Sequence, residues 1–247
     1  MLKKILSVAL FAFITVTAFS QTPSAAELLR RIDENENYTT IQYDGEIIIE
    51  NGGRRFVKTM QVWARGNTNS FMEFTNPEDR GTKYLKTNGR LFVYSPDTEE
   101  VMLISGHMLR ESMMGSDMSY EDTLDNQPLS ARYNAVHQDS EIINGRDSWV
   151  LMLTARNSRN ESYPSRKLWI DKANGDLLRY ELFALSGVKL KEYELVKVEV
   201  INGRRFPVEG IMRDLMRRGS STTFIMRNVI IDRPIADSVF SQRNLQR

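Results

Sequence analysis

Three acidic side chains that could do chemistry lie close together in the segment MMGSDMSYEDTL, residues 113–124: Asp117, Glu121 and Asp122. Clustered carboxylates can bind a cation or transfer protons in general acid–base catalysis. A simpler interpretation is helix capping, because Ser119 and Asp122 have the spacing of a capping box and acidic residues are favoured in the first turn of a helix. The cluster therefore predicts capping, and it does not by itself indicate catalysis.

Other patterns that would carry chemistry are scarce. Two histidines, His107 and His137, are too few for a histidine-based metal cluster. The sequence contains no metalloprotease, nucleophile-elbow, P-loop or dinucleotide-binding motif. The run DKANGD, residues 171–176, lacks the spacing and distal glutamate of a calcium loop, and its Asn-Gly pair favours a hairpin turn. We therefore expect no enzyme activity, no metal site and no cofactor.

The first 20 residues have the pattern of a secretory signal peptide. Lys3 and Lys4 precede an apolar run from Ile5 to about Thr17, and the small residues of Ala18-Phe19-Ser20 predict cleavage before Gln21. The apolar run is short for a membrane span, although a retained anchor is the alternative. The sequence has no cysteine to carry a lipid or a disulfide. We expect a soluble periplasmic protein that is not lipid-anchored, with residues 21–247 forming one domain.

Bulk charge excludes one class of partner. The chain has 33 basic and 32 acidic residues, which gives a formal net charge of +1. A nearly neutral chain has no general attraction for nucleic acid, so we expect no nucleic-acid partner. The oligomeric state stays open.

The chemistry-bearing residues must be positioned by a scaffold that is mainly β. Apolar and polar residues alternate with the period of a strand over these ranges: 41–50, 54–66, 70–75, 82–87, 90–95, 99–104, 130–142, 147–155, 165–171, 177–184, 188–201, 205–219 and 220–231. Asn-Gly pairs at 51–52, 88–89, 144–145, 174–175 and 202–203 predict type I′ hairpin turns, in which both residues have positive φ. These features predict a long antiparallel meander. So many strands must curl, close or split into two packed sheets.

Two segments are predicted to be helical and to cover this sheet. Residues 24–37 begin with a capping box at Ser24 and carry an apolar stripe of Leu28, Leu29 and Ile32. Residues 107–115 place methionines and a leucine at near-helical spacing and end at Gly115, a favourable C-cap. A second short helix is expected to begin at Ser119. We interpret the two pieces as a lid over the apolar face, with the glycine as hinge or helix stop; the alternative is that they simply complete the core.

Two motifs within 62–123 carry a resemblance to a known family. One reads P-x-x-R-G-T-x-Y-L and comprises Pro77, Arg80, Gly81, Thr82, Tyr84 and Leu85. The other reads M-G-S-D-x-S-Y-E-D and comprises Met114, Gly115, Ser116, Asp117, Ser119, Tyr120, Glu121 and Asp122. Together with the ending PIADSVFSQRNL, residues 234–245, these motifs resemble the LolA-like branch of the outer-membrane lipoprotein-sorting family.

The resemblance implies a half-barrel: a strongly curved antiparallel sheet with an N-terminal helix and short lid helices over its concave apolar face. It also implies a periplasmic carrier that binds lipid or lipoprotein acyl chains and shuttles them toward the outer membrane. Its partners would be the cargo, an inner-membrane transporter and an outer-membrane acceptor. The alternative is a non-catalytic interaction or sensor domain of an envelope transport complex.

Candidate cavity or lid residues follow from the apolar positions of the strands and the lid. They are Phe56, Met60, Val62, Met72, Phe74, Met108, Met113 and Met114. Methionine adapts its shape easily, which suits a site that holds variable acyl chains, but each of these residues could equally be ordinary core. Five arginines, Arg204, Arg205, Arg213, Arg217 and Arg218, could meet an acidic partner or lipid headgroups, or could form a solvated strand face.

Overall fold

The computed structural model describes residues 22–35, 37–124 and 127–246. The expected signal peptide therefore lies outside the described residues. Thirteen strands form one antiparallel sheet: β1 Thr40–Asn51, β2 Arg54–Arg65, β3 Asn69–Phe74, β4 Lys83–Thr87, β5 Arg90–Ser95, β6 Glu100–Ile104, β7 Tyr133–Ile143, β8 Arg146–Ala155, β9 Ser165–Asp171, β10 Leu177–Phe183, β11 Lys189–Ile201, β12 Arg204–Asp214 and β13 Ser221–Ile231. The predicted meander is confirmed.

Short helices complete the fold. The α-helices are α1 Ala25–Asn35, α2 Tyr120–Leu124, α3 Leu129–Arg132 and α4 Gln242–Leu245. Four 3-10 turns span Gly106–Arg110, Met113–Gly115, Ser158–Asn160 and Asp237–Phe240. Among the described residues, none of the helices has the length and apolar character needed to cross a membrane.

The sheet order explains why one segment must cross the sheet. The strands lie in the order β6-β5-β4-β3-β2-β1-β13-β12-β11-β10-β9-β8-β7, so β6 and β7 are the two edges and the sheet is not closed. The chain runs outward from β1 to one edge and returns from the other edge to β13. Residues 105–132 connect the two edges, and they include the segment predicted to be a lid.

Both α1 and this connection lie on one face of the sheet, here called the inner face. Side chains of directly paired residues point to the same face, and the pairs Leu151–Leu168, Leu168–Tyr180, Tyr180–Tyr193 and Tyr193–Met212 run across five strands. Helix α1 buries Leu28, Leu29 and Ile32 on the β7–β9 part of this face. On the opposite face, Phe240 and Leu245 of the C-terminal segment pack on Phe71, Leu85 and Phe92.

Helix α1 begins as predicted and ends slightly earlier. The Ser24 hydroxyl accepts a hydrogen bond from the Glu27 N–H at 3.1 Å, which caps the first turn. The helix ends at Asn35. There the Arg204 guanidinium donates to the carbonyls of Glu34, Asn35 and Asn37 at 3.3, 3.1 and 2.7 Å, so β12 supplies the C-terminal cap.

The predicted Asn-Gly turns form at three of five positions. Asn88, Asn144 and Asn202 have φ of about 50°, and each is followed by a positive-φ glycine. The prediction was wrong at Asn51, because Asn51 pairs with Arg54 and the turn residues are Gly52 and Gly53, with φ of 57° and 76°. It was also wrong at Asn174. There the Asp171 carboxylate accepts the Ala173 N–H at 2.8 Å and shapes a longer loop.

The predicted helix over 107–115 is replaced by two 3-10 turns, Gly106–Arg110 and Met113–Gly115. Glu111 and Ser112 between them are extended, and Met114 has a positive φ of 52°. The Met113 N–H donates to the Met118 carbonyl at 2.8 Å, and Ser112 pairs with Ser119, so the segment folds back on itself instead of winding into a helix. Residues 106–124, including α2, are called the lid below.

Candidate ligand-binding cavity

A cavity of about 430 Å³ lies between the lid and the inner face. Its floor includes residues of β1, β2, β12 and β13, and the lid contributes Met113, Met118 and Thr123. Tyr180 of β10 and Met60 of β2 both border it although four strands separate them, so the sheet curves around the cavity. The principal apolar and aromatic lining residues are Tyr43, Met60, Val62, Ala64, Met72, Met113, Met118, Tyr180, Tyr193, Val208, Met212, Phe224 and Met226.

Two further cavities adjoin the first at Met118. One of about 290 Å³ lies between α3, β9, β10 and the lid. Another of about 560 Å³ lies beside the β8–β9 connection and is bordered by charged side chains, among them Arg110, Arg159 and Glu121. Met118 borders all three. A single lid side chain therefore stands where an apolar interior meets a polar opening.

Asp117 fastens the lid to the sheet. Its side chain is 1% exposed, and its carboxylate accepts hydrogen bonds from the Asp214 N–H at 3.0 Å, the Ser220 hydroxyl at 3.0 Å and the Thr222 hydroxyl at 2.5 Å. Its own N–H donates to Thr222 Oγ1 at 2.9 Å. The sequence prediction of helix capping was therefore wrong for Asp117, whose partners all lie about 100 residues away on β12, β13 and the turn between them.

Asp122 forms the predicted capping box and also accepts hydrogen bonds from residues outside the lid. The capping box forms, since the Ser119 N–H donates to Asp122 Oδ2 at 2.7 Å and the Asp122 N–H donates to Ser119 Oγ at 3.3 Å. Lys191 of β11 donates to the same carboxylate at 2.7 Å, and the Tyr163 hydroxyl donates to it at 2.8 Å. Burial, together with the negative charge of Asp122, raises the pKa of Tyr163. The neutral phenol is thus kept as a donor.

The two sequence motifs meet at Tyr84. Its hydroxyl donates to Met114 Sδ at 3.1 Å and lies 3.3 Å from the Tyr120 hydroxyl, and the two tyrosine rings stack with centroids 6.0 Å apart. Burial, and then the hydrogen bond with Tyr120, raise the pKa of Tyr84. Lys86, two residues along β4, donates to the Thr123 carbonyl at 2.8 Å. One motif thus provides the strand and the other the lid at the same contact.

The first motif also closes a turn. The Gly81 N–H donates to the Phe74 carbonyl at 3.1 Å, and the Phe74 N–H donates to the Thr82 carbonyl at 2.9 Å. Gly81 has a φ of 85°, which glycine adopts at low cost, and Arg80 beside it is exposed. In the second motif, Gly115 has a φ of 82° and the Ser116 hydroxyl donates to the Met113 carbonyl at 2.7 Å. These residues therefore shape the backbone of the loop and the lid.

A family model covers most of the chain. A family model described as "Uncharacterized protein" matches residues 66–247. This chain belongs to that family. No curated protein matches it.

Solved structures share the fold over nearly the whole chain. A DUF1329 family protein from Desulfovibrio piger is 23% identical with a TM-score of 0.81, over 90% of this chain and 97% of that one. A domain described as an outer membrane lipoprotein-sorting protein, from Vibrio parahaemolyticus, is 19% identical with a TM-score of 0.77, over 89% and 97%. A LolA superfamily protein from Nitrosomonas europaea is 22% identical with a TM-score of 0.73, over 90% and 100%. The expected LolA-like fold is confirmed.

The candidate lining residues fall into three groups. Met60, Val62, Met72 and Met113 border the first cavity. Phe74, Met108 and Met114 pack in the apolar cluster beside it. Phe56 lies outside the cavity lining and is 47% exposed. Contact of any of these residues with a ligand stays a prediction.

Sequence reasoning missed the other half of the lining. Phe224 and Met226 on β13, Val208 and Met212 on β12, and Met118 in the lid were not singled out. A usable signal existed on β12, where Phe206, Val208, Gly210 and Met212 occupy every second position and therefore share one face. Met118 could have been found because it lies inside the second motif.

The residues first considered for chemistry are dispersed. His107 is exposed in the lid, whereas His137 on β7 bonds through Nε2 with the Pro23 carbonyl at 2.8 Å. Asp171 and Asp176 of the DKANGD loop pair with Arg146, and Asp176 also pairs with Arg205. Within the described residues, no group of three or more histidines and acidic side chains is placed to hold a metal ion.

Proposed function

We propose that this protein is a periplasmic carrier that binds acyl chains of a lipid or lipoprotein beneath the lid and shuttles them toward the outer membrane. The observation that carries the proposal is the apolar cavity of about 430 Å³, a size within the roughly 300–1,000 Å³ typical of ligand pockets. Each methylene group moved from water into such a cavity contributes about 0.8 kcal/mol. Acyl chains are therefore the ligand class that this lining would bind best.

The composition of the lining supports an adaptable site. Methionines from the sheet and from the lid border the cavity, and their flexible thioether chains can repack around acyl chains of different length. Solved structures with this fold include one described as a lipoprotein-sorting protein and one placed in the LolA superfamily. In the proposal, an inner-membrane transporter loads the carrier and an outer-membrane acceptor unloads it.

Mass spectrometry tests the proposal directly. Protein isolated gently from the envelope of its host is expected to carry phospholipid or acylated protein in stoichiometric amount. The purified protein should also bind a fluorescent fatty acid. A lipid-free protein that takes up no probe would contradict the carrier function and favour the alternative of a non-catalytic interaction or sensor domain.

Two methionine variants sharpen the binding test. Met118→Trp places a larger ring where the three cavities meet, whereas Met102→Trp makes the same change at a side chain that is 50% exposed on β6. If the larger ring keeps two methylene groups of the probe out of the cavity, the loss is about 1.6 kcal/mol, which lowers probe affinity more than tenfold. We expect this loss for Met118→Trp and unchanged affinity for Met102→Trp.

One observation favours the alternative function. Asp117, Asp122 and Lys86 tie the lid to β12 and β13, to β11 and to β4, so a lid that never opened would make the cavity part of a closed core. In the carrier proposal the lid opens during loading. Cross-linking the lid to β13 should then abolish probe uptake, and unchanged uptake would show that no moving lid is needed.

A further inference from the structure

Apolar side chains are exposed at one end of the sheet. Among the described residues, half of the large apolar side chains that are exposed lie in or beside the turns that join β1 to β2, β10 to β11 and β12 to β13. They are Phe56, Val57, Leu185, Val188, Leu215 and Met216, with exposed fractions from 36% to 77%. These six residues are called the apolar rim. Exposed apolar residues gathered in one place mark an interaction site.

The three turns of the apolar rim are neighbours. Strands β2, β1, β13, β12, β11 and β10 are consecutive in the sheet. Glu50 near the end of β1 pairs with Ser221 at the start of β13, and Asp214 at the end of β12 pairs with Lys191 near the start of β11. All three turns therefore project from the same end of the sheet.

Arginines flank the apolar rim on two of these turns. The sequence reads Arg54-Arg55-Phe56-Val57 at the start of β2, directly after the first turn, and Leu215-Met216-Arg217-Arg218 in the turn between β12 and β13. Arg217 donates to the Ser116 carbonyl of the lid at 2.6 Å. Throughout the described ranges, no ion pair or side-chain hydrogen bond engages Arg54, Arg55 or Arg218, which are all exposed.

Nearby acidic groups compensate these arginines only in part. The Asp214 carboxylate accepts the Met216 N–H at 2.9 Å and thereby shapes its own turn. Glu50 is exposed at the end of β1 and provides one negative charge beside Arg54 and Arg55. Lys189 at the third turn is paired with Glu181 and Glu192. Within the three turns of the rim, Arg54, Arg55, Arg217 and Arg218 outnumber Glu50 and Asp214, so the rim presents apolar tips with a local excess of positive charge, although the β5–β6 turn at the same end carries Asp97, Glu99 and Glu100.

We propose that the apolar rim docks on an anionic lipid bilayer. Apolar side chains at protruding turns can enter the interface between headgroups and acyl chains, while guanidinium groups beside them meet lipid phosphates. A bilayer suits this surface better than a folded partner, because the apolar residues are distributed over three separate turns and the strand start beside one of them, at one end of the sheet. The proposal goes beyond the carrier function, since docking does not require cargo in the cavity.

Vesicle flotation tests the docking surface. Protein expressed with its own N-terminal sequence and purified from the envelope is mixed with vesicles of phosphatidylcholine alone, or of phosphatidylcholine with phosphatidylglycerol. We expect binding to the anionic vesicles, which weakens as salt is raised. The triple variant Arg54→Gln, Arg55→Gln and Arg218→Gln should lower the partition coefficient by roughly fivefold per arginine, on the order of 100-fold in total.

Matched variants control for net charge and for apolar surface. Arg90→Gln, Arg233→Gln and Arg243→Gln remove the same charge from exposed positions outside the rim. Val57→Ser with Leu185→Ser and Met216→Ser removes rim tips, whereas Val136→Ser, Ile142→Ser and Val200→Ser removes exposed apolar side chains elsewhere. Both rim variants should lose vesicle binding while both controls keep it, and fatty-acid uptake by the cavity should be unchanged in all four.

Three results would overturn the docking proposal. The first is that the protein does not float with anionic vesicles, and the second is that rim and control variants bind them equally well. A concentration-dependent dimer that only the rim variants abolish would assign the surface to a second copy of this chain. Because all outcomes are read from vesicle binding and oligomeric state, they are distinct from failure of acyl binding in the cavity.

Discussion

The two halves of the inner face are packed with different kinds of side chain. Beneath α1, branched aliphatic residues fill the space: Leu28, Leu29, Ile32, Leu151, Leu153, Leu168 and Ile170 are each at most 4% exposed. Beneath the lid, methionines and tyrosines surround a cavity of about 430 Å³. Both halves belong to one sheet, so the difference comes from the covering element and the side chains that meet it.

This difference in side-chain packing suits the two halves of the inner face to different tasks. Leucine and isoleucine have few rotamers and interlock closely, which stabilises the native state. Methionine has a longer unbranched chain and adapts to different neighbours. In the carrier proposal, the α1 half serves as the stable core, and the lid half accepts or releases a ligand without unfolding the sheet.

The largest effect is expected from truncating the stable core. Leu151 is 0% exposed, so Leu151→Ala should lower the free energy of unfolding by about 3 kcal/mol, whereas Met118→Ala should cost only about 1 kcal/mol because Met118 already borders empty space. Urea denaturation of the two variants measures the difference. Equal losses would show that the two halves are packed alike.

The second effect concerns the fastening of the lid. Asp117→Asn removes the charge from a buried carboxylate that accepts three hydrogen bonds, and a loss of about 2 kcal/mol is expected. Because the lid and α1 pack in separate apolar clusters on the inner face, amide hydrogen exchange should accelerate in residues 112–124 and stay unchanged in α1. Glu121→Gln, a matched change at a half-buried residue of the lid, should leave both rates unchanged. Faster exchange throughout the chain would show that Asp117 supports global stability.

The sheet could be predicted from the sequence because its signals are local. Many of the strands show alternation along part of their own length, and three of the Asn-Gly pairs adopt the backbone that their residue types favour. The Asn-Gly rule failed at the first turn, because Gly53 follows Gly52. The turn is formed by Gly52 and Gly53, one residue later than predicted. Asp214 ended β12 early by accepting the Met216 N–H, so the strand does not reach 219.

The lid and the cavity could be predicted only in outline. Apolar spacing in 107–115 indicated a covering segment, but the partners of Asp117 and Asp122 lie on strands that are distant in sequence, and no local pattern reveals them. Phe56 has the same alternation as Met60 and Val62, yet β2 extends past the cavity and leaves Phe56 exposed. Which part of a long strand is covered depends on the path of the lid.

A third effect tests whether the cavity lining is adaptable. A Cβ at Gly210 would lie 2.2 Å from the Tyr193 hydroxyl oxygen, whereas a Cβ at Gly45 would lie 3.0 Å from Met60 Cγ. Gly210→Ala must displace a ring that is stacked on Tyr180 with centroids 4.8 Å apart, so a loss of about 2 kcal/mol is expected. Gly45→Ala should cost less than 1 kcal/mol because Met60 can move aside. Thermal unfolding compares them, and an equal loss would mean that methionine is not the adaptable part of the lining.

The smallest effect is a loss of stability at acid pH, which arises at Glu161 beside the α1 half. Burial alone raises the pKa of Glu161, but hydrogen bonds from Arg132 and Tyr133 outweigh burial and lower the pKa below its usual value. A lowered pKa in the folded state means that this stabilisation is complete above the unfolded pKa of about 4.3 and is lost as the pH falls through the folded value. In urea denaturation, wild type should therefore exceed Glu161→Gln in stability at neutral pH, by about 1 kcal/mol or less, and the difference should shrink below about pH 4. Glu99→Gln, at an exposed residue, should follow the wild-type curve. A constant difference between Glu161→Gln and wild type at all pH values would show that the ionised Glu161 carboxylate is not what stabilises this part of the fold.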